Sequence, residues 1–215
     1  WTKLAEFCHQ HLRELSEIIS LFASRQIRNA GTLAGNIANA SPIADSLPFL
    51  HVIDAEIELS GYKGKRWINI NKFYHSYKKT EMRPSELITS IRWNLPERSE
   101  ILKLYKVSKR KDLDISTFTA GILLKVKNGK VKKARLAYGG VGPIVLRLPE
   151  TESFIENKPV SKSVFQQAGR IASNEISPIS DVRASTSYRK QLAENILLKF
   201  FYECCDNFRD KKEAA

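Results

Sequence analysis

The residue types most suited to binding a ligand lie in one short stretch, GTLAGN at residues 31–36. Gly31 and Gly35 bracket a predicted turn, where glycine lets another molecule approach the backbone and successive main-chain N–H groups can bind an anion. Thr32 adds a hydroxyl, and Asn36 adds an amide that both donates and accepts hydrogen bonds. The stretch lacks the lysine of a P-loop and the G-x-G-x-x-G of a dinucleotide fold, so its spacing fits a structural turn as well as a phosphate or cofactor site.

Groupings typical of catalysis or metal binding do not occur elsewhere in the sequence. The histidines form no Ser/His/Asp set and no metal-ligand spacing; they are His9, His11, His51 and His75. The cysteines include no C-x-x-C pair, and their odd number argues against a disulfide framework; they are Cys8, Cys204 and Cys205. We therefore expect no catalytic acid, base or nucleophile in this chain, no metal, and a reducing, cytoplasmic location.

The composition is basic, with 35 Lys and Arg against 23 Asp and Glu and a formal charge of +12. The densest basic segment, KVKNGKVKKAR at 125–135, alternates lysines with valines around an Asn128-Gly129 pair and predicts a β-hairpin with a solvated charged face. No aromatic RNA-binding motif or helix-turn-helix spacing lies beside it, so nucleic acid is not an expected partner.

The ends and the apolar runs of the chain carry two further expectations. No apolar run approaches the roughly 18 residues of a membrane span, and no signal-peptide pattern opens the chain, so we expect a soluble protein without a membrane partner. The sequence begins WTKLAEF without methionine, which indicates a piece of a longer or processed polypeptide.

The first half of the chain predicts helices followed by strands. Apolar residues at helical spacing predict one amphipathic helix over residues 1–23, with Leu4, Phe7, Cys8, Leu12, Leu15, Ile18, Ile19 and Phe22 on its stripe. A short helix begins near Asp45 or Ser46, both good N-caps, with Pro48 in its first turn. EIELSG and KRWINI predict a hairpin around residues 61–64, and ELITSIRWNL predicts a strand that Pro96 ends.

The second half is richer in β-forming residues and then turns helical. Strands are predicted in ILKLYKVSK, STFTAGILLKVKN and KVKKARLAYGGV, and helices near 151–157, 161–175 and 186–211. The last helix carries an apolar face of Tyr188, Leu192, Ile196, Leu197, Phe200, Phe201 and Cys204. This order predicts an α+β fold of two domains, 1–97 and 98–215, divided at the polar segment 96–100.

Five segments together resemble a known family. RNAGTLAGNI at 28–37 with ASPIADSLP at 40–48 resembles the second flavin signature of xanthine dehydrogenases and related molybdenum hydroxylases; YKKT at 77–80, PSELI at 84–88, KVSKRKDLDI at 106–115 and YGGV at 138–141 follow in that family's order. The resemblance covers the whole chain and is closer to xanthine dehydrogenase than to the carbon monoxide dehydrogenase flavoprotein. It implies the second subdomain of a PCMH-type FAD-binding domain over 1–97, then a C-terminal flavoprotein subdomain, an antiparallel sheet with a helical layer, over 98–215.

The resemblance implies a role for each matching position. Phe22 would pack against the isoalloxazine ring, Asp45 would hydrogen-bond the cofactor, Ile88 would contact the ring's surroundings, and Lys106 would lie near the flavin's polar edge; the flavin-contacting loop would be Thr32, Leu33, Ala34, Gly35 and Asn36. From the residues alone, Phe22 equally completes the helix stripe, Asp45 caps a helix, Ile88 is a core residue and Lys106 is solvated. Ala34 stands where the family has glycine, at a cost of about 1 kcal/mol if the position requires positive φ.

The implied function is an oxidoreductase component that passes electrons from iron-sulfur clusters through FAD to NAD during purine oxidation. The molybdenum cofactor and the clusters would lie on other domains or subunits, so the expected partners are the N-terminal FAD subdomain with its pyrophosphate loop, the iron-sulfur domains and the molybdenum subunit, in an oligomer. The alternatives are a flavin subunit of another molybdenum hydroxylase, acting on CO, nicotinate or an aromatic thioester, an assembly module that binds no flavin alone, and, last, a nucleic-acid binder.

Overall fold

The computed structural model of the chain describes residues 1–111 and 113–213, the last nine of them, 205–213, by backbone alone. Its α-helices are α1 (Thr2–His11), α2 (Arg13–Leu21), α3 (Arg25–Ala30), α4 (Leu33–Ala38), α5 (Leu47–Val52), α6 (Pro149–Ile155), α7 (Lys162–Asn174) and α8 (Thr186–Glu213). Its strands are β1 (Glu56–Gly61), β2 (Gly64–Asn69), β3 (Tyr74–Ser76), β4 (Lys79–Thr80), β5 (Leu87–Arg92), β6 (Glu100–Val107), β7 (Phe118–Lys127), β8 (Lys130–Gly139) and β9 (Leu146–Arg147). These helices and antiparallel strands confirm the α+β class. No helix of the described part is long and apolar enough to cross a membrane.

The N-terminal region forms two helices rather than the single helix that its apolar stripe predicts. The backbone leaves helical geometry at Leu12, with φ −157° and ψ 70°, between α1 and α2. The Ser16 hydroxyl donates to the Ala5 carbonyl across this break. Because the bend turns both helices toward one core, Cys8, Leu12 and Leu15 are buried there, whereas Phe7 remains 59% exposed.

The segment predicted as a glycine-rich turn is largely helical. The Ser24 hydroxyl accepts from the Ile27 N–H to begin α3, and the Thr32 hydroxyl accepts from the Gly35 N–H to begin α4. Gly31 has φ −78°, so the stretch between Gly31 and Gly35 is not the predicted turn: the Thr32 hydroxyl caps α4, whose first turn holds Leu33 and Ala34.

Two small sheets follow the short helix α5. The hairpin of β1 and β2 and the predicted strand β5 form one sheet in the order β2-β1-β5, which agrees with the prediction. Ile57 and Leu59 of β1 face the core, which they share with residues of α1, α2, α4 and α5. Strands β3 and β4 form a separate pair that the sequence did not predict, because each is too short to show an alternating pattern.

The central element is an antiparallel sheet in the order β6-β7-β8-β9, called here the large sheet. Asn128 and Gly129, with φ 54° and 68°, form the predicted turn between β7 and β8. Side chains of β7 alternate between two cores: Ile122 and Leu124 belong to one, and Leu123 belongs to the other. The large sheet is therefore covered on both faces, by α6, α7 and α8 on one side and by α2 and α5 on the other.

The long C-terminal helix supplies much of the first of these cores. Ile196, Leu197, Phe200 and Cys204 are buried on the predicted face of α8. Tyr188 is 48% exposed at the start of the helix, so it does not belong to that face. The side chain of Cys205, the next residue in the sequence, lies outside the described residues.

A polar cluster joins α5 to the large sheet. Arg135 Nη1 donates to the Val52 carbonyl, and Arg147 Nη1 donates to the His51 carbonyl, so two cations meet the last carbonyls of α5. The Asp54 carboxylate lies 3.2 to 3.3 Å from both guanidinium groups. His51 is buried, with its Nδ1 2.7 Å from Asn71 Oδ1 and no partner for its Nε2 among the described residues.

We predict that this cluster makes folding sensitive to acid. Burial lowers the pKa of His51 from 6.5 to about 4. The Arg147 charge acts in the same direction, whereas the hydrogen bond to Asn71 opposes the shift. The unfolded state therefore binds the proton more readily, so this contribution is complete above pH 6.5 and is lost as pH falls toward 4, by up to about 3 kcal/mol.

The measurement is urea unfolding of the chain and of His51→Gln at pH 7.5, 6.0 and 4.5. The glutamine does not titrate, so its free energy of unfolding should fall less steeply between pH 6.5 and 4.5. Parallel pH profiles for the two proteins would contradict the assignment.

Candidate functional site

A cleft of about 820 Å³ opens where the two halves of the chain meet. Its lining includes Phe22, Asn36 and Asp45 from the first half and Lys106, Ser116 and Arg183 from the second half. Apolar side chains stand at its wall and mouth, where Leu113, Ile115 and Ile179 are each more than half exposed. A concave, mainly apolar site with a few polar groups suits a flat aromatic ligand of cofactor size.

A buried ion pair joins the two halves in the cleft wall. Lys106 Nζ lies 2.6 Å from Asp45 Oδ2, and the side chains of these residues are 3% and 7% exposed. The Ser116 hydroxyl donates to the other carboxylate oxygen of Asp45. Lys106 reaches this position because alternation along β6 places Leu102 and Lys106 on the same face of the large sheet.

This buried pair contradicts two predictions drawn from the residue types alone. Asp45 does not cap α5: the N-cap of that helix is Ser46, whose hydroxyl instead donates to Asn36 Oδ1 at 2.7 Å. Lys106 is not a solvated lysine, because burial removes it from water and Asp45 balances its charge. The neighbouring amide of Asn36 keeps its nitrogen without a hydrogen bond to another described residue.

The lip of the cleft on the first half is a turn held by one arginine. Ala23 adopts φ 50°, which is uncommon for a residue with a Cβ. Arg28 Nη1 donates to the carbonyls of both Phe22 and Ala23 at 2.6 Å, and to the Ser20 carbonyl at 3.3 Å. The Phe22 ring rests against the Trp1 ring, with centroids 4.9 Å apart.

The structure brings some of the predicted site residues together and places the others nearby. Phe22, Asn36, Asp45 and Lys106 line the cleft. The remaining predicted residues lie outside its lining: Thr32 and Gly35 cap and begin α4, Leu33 and Ile88 pack against the core beneath, and Ala34 lies within α4. Their contact with a cofactor stays a prediction.

Ala34, which stands where the resembled family has glycine, lies in a helix and so adopts no strained backbone conformation. Ala34 is not among the residues with positive φ, and a helix interior accepts alanine more readily than glycine. Here the added methyl group needs no left-handed backbone. Its cost is therefore smaller than the 1 kcal/mol or so that a strained position would carry.

Sequence reasoning missed the wall formed by residues 177–185, between α7 and α8. Arg189 is buried and donates to the Thr117 carbonyl, the Ile179 carbonyl and Asp181 Oδ1. Burial raises the pKa of Asp181, but the Arg183 N–H, the Arg189 guanidinium and the Ala184 N–H together lower it to about 2. The serines and proline of this segment predict a loop, and no local sequence pattern indicates that it lies near Thr117.

Models of two protein families match the chain. Residues 1–96 match the FAD binding domain in molybdopterin dehydrogenase, and residues 103–204 match the CO dehydrogenase flavoprotein C-terminal domain. A xanthine dehydrogenase from Blastobotrys adeninivorans is 35% identical over 93% of this chain, which spans only 16% of that protein. A xanthine dehydrogenase FAD-binding subunit from Escherichia coli O157:H7 is 27% identical, over 94% of this chain and 70% of the subunit.

A solved structure supports the same arrangement. A chain of reconstituted CO dehydrogenase from Oligotropha carboxidovorans superposes with a TM-score of 0.83 at 27% identity. The match covers 90% of this chain and 67% of that chain.

Breaking the Asp45–Lys106 pair should destabilise the chain more than removing both charges. Lys106→Met leaves a buried carboxylate with Ser116 alone, at an expected cost of about 3–5 kcal/mol at pH 7. Asp45→Asn combined with Lys106→Met leaves no unpaired charge and should cost less than the sum of the single changes. Urea unfolding of the four proteins measures this coupling, and strictly additive effects would contradict it.

Removing the Arg28 guanidinium should loosen the lip of the cleft. Arg28→Ala deprives three carbonyls of their donor and should lower the free energy of unfolding by about 1–3 kcal/mol. The turn at Phe22 should also become more sensitive to chymotrypsin under native conditions. Arg25→Ala, an exposed position on the same helix, is the control; equal cleavage of both variants would show that Arg28 does not hold the turn.

Proposed function

The chain belongs to the flavoprotein family of the molybdenum hydroxylases, and from this membership we propose that its cleft holds the isoalloxazine ring of FAD. The observation that carries the proposal is the convergence of Phe22, Asp45 and Lys106 on one cleft. These residues come from distant parts of the sequence and from both family domains.

The residues present suit a flavin. A volume of about 820 Å³ lies within the usual range of ligand sites, and Phe22 and Ile43 offer apolar contact to a ring. Asn36 and the Asp45–Lys106 pair offer donors and acceptors for the ring's polar edge. Gly140 has φ 79°, and a Cβ there would lie 2.8 Å from the Thr117 carbonyl oxygen, so this part of the wall favours glycine.

The residues of this chain bind, orient and shield the ring rather than act as acids or bases. FAD, when bound, supplies the chemistry, since it accepts electrons and gives them up again as a hydride or singly. Lys106 places a cation beside the cleft, and Asp45 fixes the position of its ammonium group. Phe22 and the apolar residues at the mouth exclude water from the face that they cover.

The wider reaction extends this proposal beyond the chain. Electrons would pass from iron-sulfur clusters through FAD to NAD, while a purine is oxidised at a molybdenum centre held by another domain or subunit. The motif order of residues 28–48 and the xanthine dehydrogenases among the relatives support this version. Residues 1–97 and 98–215 would act as two domains of one flavin module in the cytoplasm, and the N-terminal FAD subdomain would complete the cofactor site.

A second candidate is the flavin module of a CO-oxidising enzyme. The fold likeness to CO dehydrogenase and the C-terminal family match favour it. The two candidates share the cleft and differ in the substrate of the molybdenum subunit, so purine and CO oxidation by the assembled enzyme would distinguish them.

Adding FAD to the purified chain tests the proposal directly. Flavin absorption near 370 and 450 nm should shift and titrate to one equivalent, with the dissociation constant measured by calorimetry. Phe22→Ala should weaken binding about tenfold, equivalent to about 1.4 kcal/mol of lost ring contact.

The matched control is Phe7→Ala, which removes a phenyl ring from the exposed face of α1. Its affinity for FAD should equal that of the unaltered chain. A chain that leaves the FAD spectrum unperturbed would reject flavin binding by this chain alone and favour the assembly module.

A further inference from the structure

Several cations contact the wall formed by residues 177–185. Arg183 and Arg189 both contact the carboxylate of Asp181, at 3.0 and 2.9 Å. Lys109 Nζ adds a third cation, because it donates to the Val182 carbonyl at 2.8 Å. Among the described residues, three cations therefore contact this segment, and two of them pair with the Asp181 carboxylate.

Arg189 and Lys109 hold the wall in place. Arg189 is buried, and its donors bind two carbonyls and Asp181. The contact of Lys109 with Val182 ties the segment after β6 to the segment before α8. Neither cation is placed to bind a second molecule without breaking these contacts.

Arg183 differs from Arg189 and Lys109 because some of its N–H donors have no acceptor among the described residues. Its Nη2 meets Asp181 Oδ2, and its backbone N–H meets Asp181 Oδ1. Its side chain remains 35% exposed and lines the cleft, and its Nη1 forms no hydrogen bond to another described residue. The Nη1 donors are therefore open to an acceptor that a ligand supplies.

We propose that Arg183 binds an anionic group, a phosphate or a carboxylate, of a molecule that enters the cleft. The guanidinium fork suits either oxyanion because it can donate two parallel hydrogen bonds. Asp114, a further described acidic residue of the cleft lining, accepts from the backbone N–H and guanidinium of Arg110. The site uses neither residue of the Asp45–Lys106 pair, so its test does not depend on flavin binding.

The test uses inorganic phosphate and pyrophosphate as probes, with the full chain and no FAD. Calorimetry at constant ionic strength should show saturable binding of pyrophosphate, and Arg183→Gln should weaken it at least about tenfold. Arg183→Lys keeps the charge without the fork and should give an intermediate affinity. Arg170→Gln removes an exposed arginine from α7 and should leave the affinity unchanged.

Thermal unfolding of each variant establishes that the fold persists. Non-saturable binding, or an equal loss in Arg183→Gln and Arg170→Gln, would overturn the proposal and indicate diffuse attraction by the basic surface. Added FAD separates two sources of the anion. Competition with pyrophosphate would identify the phosphates of the flavin cofactor as the ligand, whereas simultaneous binding would identify a second anionic ligand; either result supports an anion site at Arg183.

Discussion

The large sheet is buried on both faces, and the position of every other layer depends on that constraint. Alternate residues of β7 serve different cores, so Ile122 packs beneath α6 to α8 while Leu123 packs beneath α5. A Cβ at Gly121 would lie 2.7 Å from the Pro48 carbonyl oxygen, which shows how closely α5 approaches the sheet. This contact fixes the segment before α5, and Asp45 belongs to that segment. The cleft follows from the sharing of one sheet by both halves.

Charged groups at the junction obey a common rule: each buried charge meets an opposite charge or a carbonyl. Asp45 meets Lys106, Asp181 meets Arg189, and the last carbonyls of α5 meet two arginines. Such pairs contribute little net stability because desolvation offsets the attraction, but they define one arrangement of the halves. The net charge of the chain therefore says little about the cleft, where cations and carboxylates are nearly balanced.

Local sequence patterns predicted correctly those elements that depend only on neighbouring residues. The Asn128-Gly129 turn, the alternation of β1 and the stripe of α8 require only neighbouring residues, and the structure has all of these elements. The break at Leu12 was not predictable, because no glycine or proline marks it and packing of α2 against β6 decides it. In the stretch 31–36, Gly31 ends α3 and Thr32 begins α4, since a residue that favours a turn also serves as a helix cap.

The same distinction explains the site. The family resemblance predicted a shared cofactor site for Phe22, Asn36, Asp45 and Lys106, which line one cleft, whereas residue types alone assigned Asp45 to a helix cap and Lys106 to solvent. A partner 61 residues away converts both side chains into a buried pair, and no window of sequence contains that fact. The proposed role of Arg183 was not predicted for the same reason, since it depends on a wall that only the folded chain assembles. Asp45 and Lys106 come from different halves, so neither half alone could keep its buried charge paired. The cleft and the stability of the junction are therefore one property of the fold, and a change on either side of the pair alters both.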